Sequence, residues 1–379
     1  MQKRNRFIII SIKIIAVMLI SVCLLFAAMN LVSLIPSRAI FEEIKNIQSV
    51  APISSTFSKE KSELTKTDNS DYNILHITDA HVVCSIFSPK KDKNIVKTIR
   101  GVVENSKPDL IVLTGDMLFP AFYAGGSNNK IQLEAVVTMF DAFEVPWTFV
   151  YGNHDADIWG IMKKKDISKE LSESAFCLFD TGITNISGEG NYAVTLLNND
   201  LTINTVLFMM DTNSKNGFTY GGIADDQISW YEQEINRFSA IKGTLVSSML
   251  FVHIPLPEYQ DAWDAYANGQ PEAKYIFGTN KESISPGKEK SKMFDKIYEL
   301  HSTKAVFSGH DHANTWTIKY KGVYLSYGLA VDHTSYSAKT NTTRGGQLIA
   351  IKPDSTFSLF HVHEMSGFAK SQNCCSSTI

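Results

Sequence analysis

Asn73-Ile-Leu-His-Ile-Thr-Asp-Ala-His81 runs from a β-prone apolar segment straight into a carboxylate and an imidazole two residues apart. Four other stretches share that construction. Leu110-Ile-Val-Leu113 leads into Gly115-Asp116, and Thr148-Phe-Val-Tyr151 into Gly152-Asn153-His154-Asp155. Met249-Leu-Phe-Val252 leads into His253, and Ala305-Val-Phe307 into Gly309-His310-Asp311-His312. Short apolar β-prone runs alternating with longer helix-like segments are the pattern of a layered α/β fold. In such sheets ligands bind beyond the carboxyl ends of strands, so five strand ends carrying polar clusters predict one shared site.

The donors at those ends are Asp79, His81, Asp116, Asn153, His253, His310 and His312. Carboxylates, an amide oxygen and imidazoles without a thiolate are the set that binds first-row divalent or trivalent metals. A separation of two puts Asp79 and His81 on one side of an extended strand end, and His310 and His312 likewise. Glycine precedes Asp116, Asn153 and His310, which predicts tight turns where the backbone approaches a ligand or takes a positive φ. His76, His301, His333, His361 and His363 lack such a setting and are read as packed or solvated. Asp211 is read as a turn and cap former, and Trp230 and Tyr231 as core.

Composition narrows the class. The chain has 379 residues, 44% hydrophobic and 20% charged, which is the balance of a folded globular protein rather than a disordered or fibrous one. A formal net charge of -3, with no long basic run beyond the first residues, argues against a general nucleic-acid binder. Cysteines at 23, 84, 177, 374 and 375 form no C-x-x-C pair, so neither a zinc finger nor a disulfide scaffold is indicated.

Taken in order, Asp79-Ala-His81, Gly115-Asp116, Gly152-Asn153-His154-Asp155, His253 and Gly309-His310-Asp311-His312 resemble the motifs of the calcineurin-like metallophosphoesterases. Phe251–Tyr259 and Lys304–His312 are similar to the purple-acid-phosphatase-related branch of fungi and plants. The resemblance spans Asn73 to Tyr327. It implies a four-layer αββα sandwich of two mixed β-sheets and a dinuclear-metal phosphoester hydrolase, here a monoesterase. Its two ions would be drawn from Mn, Fe or Zn. Asp79, His81, Asp116 and His312 would hold one ion and Asp116, Asn153, His253 and His310 the other, with Asp116 bridging and a shared hydroxide as nucleophile. His154 would stabilise the transferring oxygen or protonate the leaving group, oriented by Asp155 or a nearby carboxylate. The implied substrate is a phosphorylated small molecule or a phosphoprotein. Two rival readings stand beside this one: a phosphodiesterase acting on nucleotide or lipid headgroups, and a membrane-tethered binding protein without turnover.

One position departs from the resemblance. Purple acid phosphatases carry a tyrosine three residues after the Gly-Asp aspartate, where this chain has Phe119. A phenyl ring cannot ligate a metal, so His81 takes the compensating role and the ferric, coloured centre is not expected.

The N-terminus is membrane-directed. Lys3, Arg4 and Arg6 precede an apolar run from Phe7 to about Leu34. Its length fits an uncleaved signal anchor at 1–34, with a cleaved signal peptide and a secreted product as the alternative. Basic residues before the run place the N-terminus in the cytosol and the catalytic region outside. Asn185-Ile-Ser187 and Asn341-Thr-Thr343 match the glycosylation sequon. Residues 35–71 read as a linker or stalk, 72–365 as the phosphoesterase domain and 366–379 as a loose polar tail.

Overall fold

The apolar runs become strands and the amphipathic segments helices in the computed structural model, which describes residues 2–121, 125–216, 219–287, 292–335 and 344–363. The long α1 (Gln2–Ser33) and short α2 (Ala39–Ile44) lead into β1 (Ser55–Ser58) and β2 (Glu63–Lys66). Next come β3 (Tyr72–Ile77), α3 (Pro89–Ser106), β4 (Leu110–Leu113), α4 (Asn129–Asp141), β5 (Trp147–Phe149) and α5 (Lys164–Glu173). The second half starts with β6 (Tyr192–Leu197), β7 (Ile203–Met209), the small hairpin β8 (Lys215–Asn216) and β9 (Thr219–Tyr220), and α6 (Asp225–Lys242). It continues through β10 (Ser247–Phe251), α7 (Glu258–Ala267), β11 (Ala273–Phe277), α8 (Met293–Leu300) and β12 (Thr303–Ser308). The last strands are β13 (Thr317–Tyr320), β14 (Val323–Tyr327), β15 (Gly346–Ile351) and β16 (Phe357–Val362).

Two mixed sheets result, as expected. One has five strands in the order β16-β15-β3-β4-β5, the other nine in the order β1-β2-β6-β7-β10-β12-β14-β13-β11. The strands that point at the site are parallel: β3, β4 and β5 in the first sheet, β7, β10, β12 and β14 in the second. β7 shows how period-two alternation builds layers. Leu207 and Met209 enter the core between the sheets, whereas Val206 and Phe208 enter the one under α6, α7 and α8. Both faces are buried, so the strand reads as one continuous apolar run. On the opposite side α3 covers β3, β15 and β16 through Ile95, Val96, Ile99, Val102 and Val103, an i, i+4, i+7 stripe that starts at Pro89 and ends at left-handed Lys107.

The segment expected as a stalk is folded. β1 pairs antiparallel with β2, and β2 joins β6 in parallel, so residues 55–66 extend the nine-stranded sheet. Ile40, Ile44 and Leu64 are buried in the core, and the buried Lys66 ammonium lies 2.9 Å from Asp109 Oδ2. These edge strands bury every second residue or fewer, and one buried position is a lysine, so composition hid them. Within α1, Ile10–Ser33 is a 24-residue stretch with an 18-residue window of mean hydropathy 2.6, long and apolar enough to cross a membrane. Its last turn docks on the domain: Ser127 N donates to Ser33 O at 2.8 Å, and Pro36 bridges to Ser85. Asn185 is exposed; the sequon at Asn341 and the tail from 366 lie outside the described residues.

Candidate metal centre

Three of the five motifs leave their strands through turns that an ordinary backbone resists. Asp79, His81, Asp116 and His310 have φ of 53°, 50°, 51° and 75°, a left-handed conformation in four non-glycine residues at one site. Backbone bonds clamp these turns together. Asp79 N donates to Gly115 O at 3.1 Å, and His81 N to Asp116 O at 2.9 Å, which locks the ends of β3 and β4. Gly152 lies so close to Asp116 that a Cβ there would sit 2.2 Å from Oδ1, and at Gly309 it would sit 2.0 Å from Thr78 Oγ1. A Cβ at Gly115, whose φ is 82°, would sit 2.3 Å from Gly152 N, so all three predicted glycines are required by close approach.

All seven sequence-selected donors converge. Among the described residues, ligand-type atoms lie within 4.8 Å of one another in three groups: Asp79 with His81 and His312, His81 with Asp116 and His154, and Asp116 with His253 and His310. Asp116 Oδ2 stands 3.4 Å from His81 Nε2 and 3.3 Å from His253 Nε2, midway between the outer groups. Asp79 Oδ1 is 3.3 Å from His312 Nε2, and Asn153 Oδ1 is 3.2 Å from His253 Nε2. Thr114 O lies 2.7 Å from His253 Nδ1 and accepts its N–H, which turns Nε2 toward Asp116 and Asn153. His310 is braced edge-on by Tyr220, with ring centroids 4.3 Å apart.

The cluster attracts positive charge. Burial works against every ion here, yet His253, facing Asp116 and Asp79, is held up to about 9, and His312 is raised well above its usual range by Asp79 and Asp332. Burial likewise opposes ionisation of the carboxylates, but Asp79 is held down to about 2 by His312 and His253, and Asp116 far below the usual range by His253 and His154. Asp79 Oδ1 and His81 Nε2 are buried without a hydrogen bond of their own. His310 goes the other way, pushed down to about 3 by burial and then by His253. A compact set of donors that keeps its carboxylates ionised and leaves ligand atoms unsatisfied fits a pair of cations.

Asp155 does not orient His154. Its carboxylate accepts from Asp116 N at 2.9 Å, Leu118 N at 2.9 Å and Gly152 N at 2.7 Å, tying the β4 and β5 turns together. Burial and then Asp116 push it up to about 6. The carboxylate beside His154 is Asp157, with Oδ2 3.2 Å from Nδ1. Of the two alternatives the resemblance left, Asp155 or a nearby carboxylate, the geometry favours the second: a turn closed by Asp157 N donating to His154 O at 3.1 Å returns the chain to the imidazole three residues on. Phe119 lies where expected, its ring centroid 4.8 Å from that of His81 and 5.0 Å from that of His154.

Sequence reasoning missed Asp332. Fully buried beyond β14, it places Oδ2 3.5 Å from His312 Nδ1 and Oδ1 3.9 Å from His81 Nδ1. The signal was an aspartate closing the apolar Gly328-Leu-Ala-Val331, with Ala330 bridged in parallel to Thr78. The other passed-over residues are structural. His76 is buried with Nε2 2.7 Å from Thr114 Oγ1, and Asp211 accepts from Lys164 Nζ at 2.5 Å and from Glu189 N at 2.9 Å.

This fold and site define a metallophosphoesterase: the calcineurin-like phosphoesterase family matches residues 72–314, and the chain belongs to it, a hydrolase acting on phosphoester bonds. Within that family several of its relatives are of the purple-acid-phosphatase-related kind, and another, 27% identical over 221 residues, is the probable glycerophosphodiester phosphodiesterase GpdQ of Arcobacter nitrofigilis, covering 58% of this chain and 62% of that one. This chain is 25% identical over 317 residues to probable inactive purple acid phosphatase 14 of Arabidopsis thaliana, covering 74% of this chain and 76% of that one. It is 30% identical over 291 residues to phosphatase DCR2 of Saccharomyces cerevisiae, covering 70% of this chain and 49% of the yeast protein. A dimetal phosphatase from Danio rerio shares the fold with a TM-score of 0.53 at 11% identity, over 78% of this chain and 98% of that one.

Proposed function

We propose that this chain is a two-metal phosphatase acting on phosphate monoesters, with residues 35–363 as one catalytic unit held at a membrane by α1. The observation that carries it is Asp116, whose one carboxylate lies between His81 on one side and His253 on the other. Asp79, His81, Asp116 and His312 would hold one cation, and Asp116, Asn153, His253 and His310 the second. Bound there, the pair supplies neutralisation of phosphoryl charge and acidification of water. Mn, Fe and Zn all suit the donors, and Phe119 supplies no phenolate for a ferric, coloured centre.

The remaining work belongs to the chain. His154 borders a cleft of about 510 Å³ together with His81, His312 and Phe119. Asp157 occupies its Nδ1 side, leaving Nε2 to stabilise a phosphoryl oxygen or to pass a proton to the leaving alkoxide. Asp332 fixes the imidazoles of His312 and His81 from behind, and Asp155 sets the turn that carries Asp116. Although its Arabidopsis relative is named inactive, every ligand position and His154 is filled here by a competent side chain. The apolar helix is read as a signal anchor with the catalytic unit outside the cytosol, in keeping with the exposed sequon at Asn185.

The test is metal quantification on the full-length protein with kinetics on p-nitrophenyl phosphate and bis(p-nitrophenyl) phosphate. Two equivalents of metal and a higher kcat/KM on the monoester are expected, with both falling in Asp116→Asn, activity by about 10³-fold or more. A preference for the diester would replace the monoesterase reading. Less than one equivalent of metal, or full activity in Asp116→Asn, would sink the two-metal reading.

A further inference from the structure

Two loops leave the site, and both carry their most exposed apolar residues to the base of the N-terminal helix. The first follows His81: Ser85 bridges to Pro36 just beyond the helix end, and the next two residues, Ile86 and Phe87, are 46% and 66% exposed. The second follows His154: Ile158 and Ile161 are 77% and 52% exposed, and between them Trp159 meets Phe26 of the helix with ring centroids 6.5 Å apart. Phe26 lies seven residues before Ser33, so this loop reaches roughly 10 Å down the flank of the helix. That is the depth at which interfacial side chains and tryptophan belts sit.

Each loop then turns basic. Ser88-Pro89-Lys90-Lys91 follows Phe87, and Lys163-Lys164-Lys165 follows Met162, with Lys90, Lys91, Lys163 and Lys165 exposed. Apolar residues backed by lysines are what insertion among phospholipid headgroups requires. Exposed clustered isoleucine and phenylalanine are costly in water, and any bilayer that takes up a 24-residue apolar helix must meet loops packed against its flank. Phe87 and Lys91 also line the cleft with His81, His154 and His312. The wall of the catalytic cleft and the membrane-facing rim therefore share residues.

We propose that these two loops dip into the bilayer around the anchor and that the substrate is the phosphoester headgroup of a membrane lipid, entering the cleft past Phe87 from the lipid surface. The idea rests on the phosphohydrolase reading for its chemistry and on the apolar helix for its geometry. A lipid headgroup held at the interface presents its phosphate to the metal-ligand cluster while its acyl chains stay in the membrane, so no acyl-binding tunnel is required.

The experiment uses the full-length protein, manganese-loaded, reconstituted into dioleoylphosphatidylcholine vesicles. One arm contains dioleoylphosphatidic acid, a second dioleoylphosphatidylethanolamine; parallel soluble arms offer p-nitrophenyl phosphate and a phosphoserine peptide. A structural arm replaces part of the lipid with brominated phosphatidylcholine and compares tryptophan quenching in the native chain and Trp159→Phe. Expected are quenching that falls in Trp159→Phe, turnover of the monoester dioleoylphosphatidic acid well above that of the diester dioleoylphosphatidylethanolamine, and a loss of about tenfold on phosphatidic acid in Ile158→Glu/Ile161→Glu with p-nitrophenyl phosphate turnover within twofold. Quenching unchanged by Trp159→Phe would overturn the placement even if the enzyme is active. Peptide turnover far above lipid turnover, or equal losses on lipid and soluble substrates in the double variant, would overturn the substrate class. If no substrate is cleaved the substrate proposal falls together with the phosphatase reading, and the quenching arm still decides the loop placement on its own.

Discussion

The floor of the cleft and its rim are built on opposite principles. On the floor, Asp79, His81, Asp116 and His253 are all but inaccessible, four residues of the site hold left-handed backbone, and backbone hydrogen bonds staple one motif to the next. On the rim, Phe87, Ile158 and Ile161 are exposed on loops that also touch the N-terminal helix or the turn just beyond it. Rigid, desolvated donors fix which chemistry is possible, because charge must be placed before the reaction and not recruited during it. The loops beyond them decide which molecules arrive. Floor and rim should thus be separable by mutation.

The largest effect on the floor after loss of Asp116 is expected for His154→Ala. kcat should fall about 10²- to 10⁴-fold with metal content unchanged, because the residue handles a proton or phosphoryl charge and is not needed to hold the cations. Parallel loss of metal would move His154 into the ligand set. Next comes Asp332→Asn, which removes the charge behind His312 and His81; titration with a fluorescent chelator should show metal affinity weakened about 10- to 100-fold. An unaltered affinity would make Asp332 a packing residue only. Asp157→Asn should be milder, about tenfold in kcat with little change in KM or metal content, since the amide still reaches His154 Nδ1.

The smallest effect lies outside both regions. Glu258, at the start of α7, is pushed up from 4.5 to about 7, first by burial and then by Asp261 and Asp295. Its carboxylate is harder to ionise folded than unfolded, so it costs nothing below about pH 4.5 and destabilises progressively as pH rises through 7. Glu258→Gln should raise the stability of metal-free protein at pH 8 by about 1–2 kcal/mol, allowing for solvent screening, and leave it unchanged near pH 4.5. Denaturant melts at the two pH values measure the difference, and an equal gain at both would show that packing, not charge, is responsible.

The two regions were also unequally legible. Every floor donor except Asp332 stood in a short motif at the end of an apolar run, where a strand ends and its side chains must face the crevice. Asp332 escaped because its motif is one aspartate, and its meaning comes from Thr78 lying beside Ala330, residues far apart in the chain. Asp157 escaped for a local reason, the turn after Asn153 that sends Asp155 back toward backbone amides. Residues 35–71 looked like a tether because an edge pair with alternate burial holds too few apolar residues to register as strands.

Sequence by itself determined the strand ends, the donors they carry, the layered α/β class and the apolar helix, because each is written in local periodicity and residue type. Tertiary structure alone decided that Asp116 sits between the two halves of the cluster, that Asp332 and Asp157 rather than Asp155 stand behind the imidazoles, and that the loop after His154 packs Trp159 against the apolar N-terminal helix. Those are distances between segments, and no local pattern encodes them until the sheets have paired and the loops have closed.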